Sequence, residues 1–161
     1  NVDMDPMTEL MLFTSSRIEL ITKVIQPALL KGEIVVCDRF IDSTYAYQGL
    51  GRGLTHSVIY LEKLITEYVR SDYVLYFDVS QEEAERRMKN RPQKLDRLDK
   101  ETPEFKSRVK QGFTERMAQQ PDKVFHIDAS GPIVDVNYHV KSWVENIFIP
   151  SNRKLVKQKS D

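Results

Sequence analysis

Three aspartates each close a short apolar run. Asp38 follows Ile34-Val35-Val36-Cys37, Asp78 follows Tyr73-Val74-Leu75-Tyr76-Phe77, and Asp128 follows Val124-Phe125-His126-Ile127. If the runs are parallel strands, all three carboxylates are expected along the rim of one crevice, where open α/β sheets bind ligands. Carboxylates there could hold Mg²⁺ for phosphate chemistry. Taken singly, a strand-end aspartate more often caps the next loop. Asp38 is the exception, because Arg39 follows at once. An acid for a metal beside a guanidinium for phosphate oxygens suits phosphoryl transfer. A second feature is a basic stretch, with seven Lys or Arg from Arg86 to Lys100 against Asp96 and Asp99. Such a stretch reads either as a phosphate-contacting surface or as a solvated helix face.

The elements that must position these groups alternate. Each apolar run has the length and continuity of a strand buried on both faces, as in a parallel sheet. Asp5, Pro6 and Glu9 form a helix start. Leu10, Phe13, Arg17, Ile21, Val24 and Ala28 continue it at spacings of three or four. Pro27 is expected to kink this helix or begin a new turn, and Gly32 to stop it. Helical patterns follow over 55–69, 81–90, 103–119 and 133–149. The last places Val136, Val140, Val144 and Ile147 on one face. Strands alternating with helices imply an α/β layered fold.

The 161 residues suit one domain. Lys plus Arg and Asp plus Glu both number 24, which disfavours a coat-like nucleic-acid binder. The balance is an average, because the stretch 86–100 carries a net +5, the tail 150–161 a net +3, and the remainder −8. A lone cysteine, Cys37, excludes an internal disulfide and fits a reducing compartment. No apolar run approaches the ~20 residues of a membrane span, and the polar first six residues are unlike a signal peptide.

The stretch Asp38-Arg39-Phe40-Ile41-Asp42-Ser43-Thr44-Tyr45-Ala46-Tyr47-Gln48-Gly49, continued by Leu50-Gly51-Arg52-Gly53-Leu54, closely resembles the signature of bacterial thymidylate kinases. The segments Thr8–Arg17, Ile25–Leu29, Phe77-Asp78-Val79, Leu95-Asp96-Arg97-Leu98 and Ile127-Asp128-Ala129 match that family in the same order. The resemblance covers residues 3 to about 149 and implies dTMP phosphorylation by ATP with Mg²⁺, in dTTP biosynthesis. It implies that Phe13 stacks on thymine and Arg17 donates to its carbonyl oxygen. Thr44 and Gln48 would hydrogen-bond the base, and Tyr47 would pack under the deoxyribose. Asp38 would serve the metal, and Arg39 would hold the acceptor phosphate. A lid at about 86–101 would bring Arg91, Lys94 and Arg97 to the phosphates, with Arg97 the best match to the catalytic arginine. Core packing for Phe13 and Tyr47, and a surface setting for Arg17, are the ordinary alternatives. The family usually has Tyr or His where Phe40 stands and often Ser-Leu where Thr44-Tyr45 stand.

The implied fold is an α/β nucleoside monophosphate kinase-like parallel sheet flanked by helices. Such a fold needs a phosphate loop, G-x-x-x-x-G-K-[ST]. None of the glycines at 32, 49, 51, 53, 112 and 131 lies in that pattern. The Gly49-Leu50-Gly51-Arg52-Gly53 run has the wrong spacing for a dinucleotide loop and reads as the turn ending the pocket helix, with Arg52 either near phosphate or in a plain loop. The first strand, phosphate loop and second strand are thus expected to be absent from this chain, and the 161 residues to be part of a longer protein. Residues 1–149 form the kinase-like domain and 150–161 a basic tail. The alternative is a dTMP-binding or nucleotide-binding module without kinase activity; a nucleic-acid-binding domain is disfavoured by the neutral charge. Cytoplasmic location, a homodimer, and no nucleic-acid or membrane partner complete the expectations.

Overall fold

The computed structural model describes residues 3–90 and 97–148. They divide into two compact units. The first contains the described residues of 3–72 and 97–123, and the second those of 73–90 and 124–148.

In the first unit, α1 spans Pro6–Leu20. Asp5 caps it by accepting from the amides of Met7 (2.9 Å) and Thr8 (3.1 Å), satisfying donors that have no partner inside the helix. A π-helical stretch, Ile21–Ile25, then joins α2 (Gln26–Leu30). Pro27 is the physical cause: it cannot donate to the preceding turn, and its ring crowds the carbonyl four residues back. Gly32, at φ +78°, ends α2. Its amide reaches Leu29 O and that of Glu33 reaches Ala28 O, the paired bonds of a left-handed helix stop.

The segment 34–37 is not a strand, which corrects the expectation of a third ladder element. Val36 is 92% exposed. An apolar run becomes a strand only when neighbouring backbones accept its hydrogen bonds, and no described residue supplies a ladder here. The chain then turns at Arg39, φ +61°. It enters α3 (Ile41–Thr44), which runs into a π-helical stretch, Tyr45–Gly51. Gly53, at φ +76°, turns the chain into α4 (Thr55–Thr66). Thr102 caps α6 (Pro103–Ala118). Arg108 of α6 donates to Gly51 O at 2.9 Å, fixing the turn after the π stretch. The Gly49–Gly53 run therefore ends a helix, as its spacing predicts.

Three apolar clusters hold this unit together. Ile21, Ile25, Ile41 and Ile65 form one. Leu10, Tyr45 and Val58 form the second. Ala46, Phe105 and Val109 form the third. Helix α6 approaches the π stretch very closely: a Cβ built on Gly112 would lie 2.8 Å from Ala46 Cα.

In the second unit, β1 (Val74–Asp78) and β2 (Val124–Asp128) pair in parallel, with Asp78 opposite Asp128. They are less covered than continuous apolar runs predict, since Phe77 is 48% exposed. A two-stranded sheet offers no flanking strands, and its cover comes from aromatic packing. Trp143 of α7 (Ile133–Phe148) stacks on Phe125 at 5.6 Å, and Tyr73 meets it edge-on at 5.4 Å. Of the predicted α7 stripe, Val136, Val140 and Ile147 are half-buried and Val144 is exposed. Helix α5 (Gln81–Lys89) is capped by Ser80, whose hydroxyl accepts from Glu83 N.

Candidate nucleotide site

The candidate site lies in the first unit, where α1 faces the α3–π segment. Leu10 and Thr14 of α1 and Ile21 of the π stretch that follows it turn inward. Arg17, on that same side, donates through Nη1 to Thr44 Oγ1. Its guanidinium carbon lies 5.5 Å from the Phe40 ring centroid. Burial lowers the Arg17 pKa from its usual value, and the nearby Cys37 and Asp42 charges oppose that shift. Cys37 is exposed, and desolvation raises its thiol pKa, with Arg17 opposing. The structure thus joins Arg17 and Thr44, which are 27 residues apart in sequence. Phe13 lies one turn before Arg17 and is 42% exposed, leaving ring surface free to stack.

Gln48, one turn past Thr44, is also buried. Its Nε2 donates to Glu9 Oε1 at 2.6 Å. Glu9 is the residue that sequence reasoning missed. It is only 2% exposed, and its carboxylate also accepts from Arg52 Nη2 at 3.2 Å and from Arg97 Nη2. Arg52 bridges onward to Glu101 at 2.6 Å, with its guanidinium 4.6 Å from the Phe105 ring. One signal was available in the sequence. Glu9, Phe13 and Arg17 stand at successive intervals of four, on one side of the helix. Arg97, expected near phosphate, and Arg52, for which phosphate and a plain loop were both open, meet carboxylates in this structure.

Arg39 and Tyr47 are brought together as well, with the guanidinium 4.5 Å from the ring centroid, a cation–π distance. Tyr47 also meets Phe113 edge-on at 6.1 Å. Asp38 is exposed, and no described residue hydrogen-bonds it. Among the described residues no group of three or more His, Cys, Asp or Glu could hold a metal ion. A single carboxylate with no partner among the described residues would still suit Mg²⁺, which usually takes one or two carboxylates together with substrate phosphates and water. Asp78 and Asp128 are adjacent in register, but Asp128 accepts from Ser130 N at 2.9 Å. That bond lowers its pKa and makes it a loop cap. The predicted rim of three strand-end carboxylates is therefore reduced to two strand ends, because 34–37 is not a strand.

The basic stretch divides. Arg86 and Arg87 both bind Glu83, at 2.7 Å each. Arg87 also donates to Ala129 O at 2.7 Å. They serve helix α5 and its neighbouring loop. Arg91 and Lys94, like the basic tail, lie outside the described residues. Among the described residues no helix is long and apolar enough to cross a membrane.

The architecture is of a recognisable class. It is similar to the crystal structure of thymidylate kinase from Ehrlichia chaffeensis, with a TM-score of 0.63 and 28% identity, over 89% of this chain and 67% of that one. The class is the α/β fold of the P-loop nucleoside monophosphate kinases. Residues 1–140 match the family model described as thymidylate kinase. The chain is 48% identical to thymidylate kinase of Mesoplasma florum over 132 residues, which are 80% of this chain and 62% of that relative. It is 43% identical to that of Mycoplasma capricolum over 150 residues, 91% of this chain and 70% of the relative. The chain belongs to the thymidylate kinase family. It spans between 62% and 70% of the length of these curated relatives.

Proposed function

We propose that the protein carrying this chain transfers the γ-phosphoryl group of ATP to dTMP, giving dTDP for dTTP synthesis. The observation that carries this reading is that α1 meets the signature segment through two side-chain pairs, Arg17 with Thr44 and Glu9 with Gln48, where the family signature has its base contacts. In this reading Phe13 stacks on the thymine. Arg17 donates to a base carbonyl oxygen, from the side where Thr44 already holds it. Thr44 and Gln48 bond the base edge. Tyr47 packs under the sugar, and Arg39, held over Tyr47, binds the phosphate of dTMP. Arg97 neutralises charge on the transferred group after leaving Glu9. Asp38 would hold Mg²⁺, which when bound shields the phosphate oxygens. The chain's own contribution is orientation and charge neutralisation rather than covalent chemistry.

A cytoplasmic homodimer that acts on small nucleotides is part of the same proposal. A coupled assay of the full-length protein against dTMP, dUMP, dCMP and AMP tests it. Preference for dTMP is expected, and preference for AMP overturns the substrate. A second reading, a dTMP-binding module without kinase activity, is favoured by one observation: these residues contain no G-x-x-x-x-G-K-[ST]. Saturable dTMP binding by the full-length protein without any transfer from ATP would select it.

A further inference from the structure

Glu9 is buried against two arginines and one amide. Burying a carboxylate is costly even when it is paired, so its role is sought in what it imposes on its neighbours. The carboxylate pairs with two guanidinium groups, of which Arg52 stays when Arg97 turns to the phosphates, and a carboxylate in such an ion pair offers only acceptor oxygens. A glutamine amide has a donor end and an acceptor end of nearly equal shape. Facing Glu9, only the donor end of Gln48 is tolerated, and Nε2 lies 2.6 Å from Glu9 Oε1. Among the described residues no donor reaches its carbonyl oxygen, and no buried side-chain polar atom is left without a partner.

We infer that Glu9 is a positioning residue that sets base specificity by locking the Gln48 amide with its carbonyl oxygen presented to the nucleotide. The inference rests on the reading of Gln48 as a base contact. A thymine or uracil ring carries N3–H, a donor that this oxygen accepts. A cytosine ring carries a bare N3, an acceptor. Two acceptors would then face each other with no proton between them, a mismatch that a buried site punishes heavily. Glu9 therefore selects the imide bases without touching them.

The test compares kcat/KM for dTMP and dCMP in full-length wild-type, Glu9→Gln and Glu9→Asp proteins. A neutral amide at position 9 both donates and accepts, so Gln48 can turn over; the dTMP-to-dCMP ratio is expected to fall about tenfold. Glu9→Asp keeps acceptor-only chemistry, and its ratio is expected to stay within about threefold of wild type. A wild type that prefers dTMP while Glu9→Gln loses activity equally on both nucleotides overturns the inference alone. A wild type with no preference overturns the proposed function as well. If Glu9→Gln does not fold, the wild-type side-chain NH₂ resonances of Gln48, assigned through Gln48→Met, decide. They are expected to stay protected from exchange when dTMP is added. Loss of that protection on dTMP binding overturns the lock.

Discussion

Arg116, near the end of α6, donates Nε–H to Asp42 Oδ1 over 2.8 Å. This bond ties α6 to the first turn of the helix that carries Thr44. The same guanidinium also donates to Glu62 of α4 and lies 5.4 Å from the Tyr45 ring. Three helices thus meet on one planar cation. Burial works against its charge, but Asp42 and Glu62 outweigh that and raise its pKa. Removing one member of a largely buried ion cluster leaves uncompensated charge. Arg116→Ala is expected to lower the stability of the full-length protein by about 3 kcal/mol. Arg116→Lys, with its point charge and no fork, should lose roughly half of that. Urea unfolding midpoints check both.

Arg39 stands at φ +61°, a region costly for a side chain with a Cβ. Its guanidinium is nevertheless held over Tyr47. The backbone strain and the placement of the cation belong to one turn, as is common where function constrains geometry. Arg39→Ala keeps the strain and removes the cation, while Arg39→Gly removes both. Arg39→Gly should therefore be more stable than Arg39→Ala by about 1 kcal/mol. Both variants should lose most of the transfer to dTMP. Paired thermal melts and the coupled assay separate the two effects.

Gly112 lies in the middle of α6, where alanine ordinarily gains about 1 kcal/mol over glycine. Here the added methyl would meet Ala46 Cα at 2.8 Å, a backbone neighbour on a fully buried residue. Overpacking should outweigh propensity, so Gly112→Ala is expected to destabilise by about 1–2 kcal/mol. The displaced segment carries Tyr47 and Gln48, so KM for dTMP should rise more than kcat falls. A stabilised Gly112→Ala protein would show that the π stretch yields easily.

The helices were legible because their causes are local. Asp5 was readable as a cap and Gly32 as a stop, through the positive φ it tolerates, whereas the caps Ser80 and Thr102 came from the structure. The π turn before Pro27 follows from one missing N–H, although the sequence shows only that something must give there. The run 34–37 misled because strand character needs partners that no local pattern reports. The site was half legible. Phe13, Arg17, Thr44 and Gln48 follow from the resemblance to the family signature, and the structure joins Arg17 to Thr44 and Gln48 to Glu9. Glu9 escaped because a glutamate in a first helical turn is ordinarily solvated and favours the helix dipole. Its burial depends on Gln48, Arg52 and Arg97, which are 39, 43 and 88 residues away.

Glu83 gives the clearest pH dependence. Its carboxylate accepts from both Arg86 and Arg87 over 2.7 Å. These bonds lower its pKa from 4.5 to about 2. A group held below its unfolded value binds fewer protons in the folded state. Its contribution is therefore fully present above about pH 4.5 and is lost as the pH falls toward about 2. The consequence should be local, because Arg87 also donates to Ala129 O and so links α5 to the loop after β2. Acidification through that window should release Arg87, and amide protection in the 129–131 loop, taken relative to the intrinsic exchange rate at each pH, should fall along with it. A Glu83→Gln protein should show the low protection already at pH 7 and no further loss of protection across the window. A carboxyl ¹³C titration of Glu83 with a midpoint near 4.5 would refute the account, whatever the exchange rates.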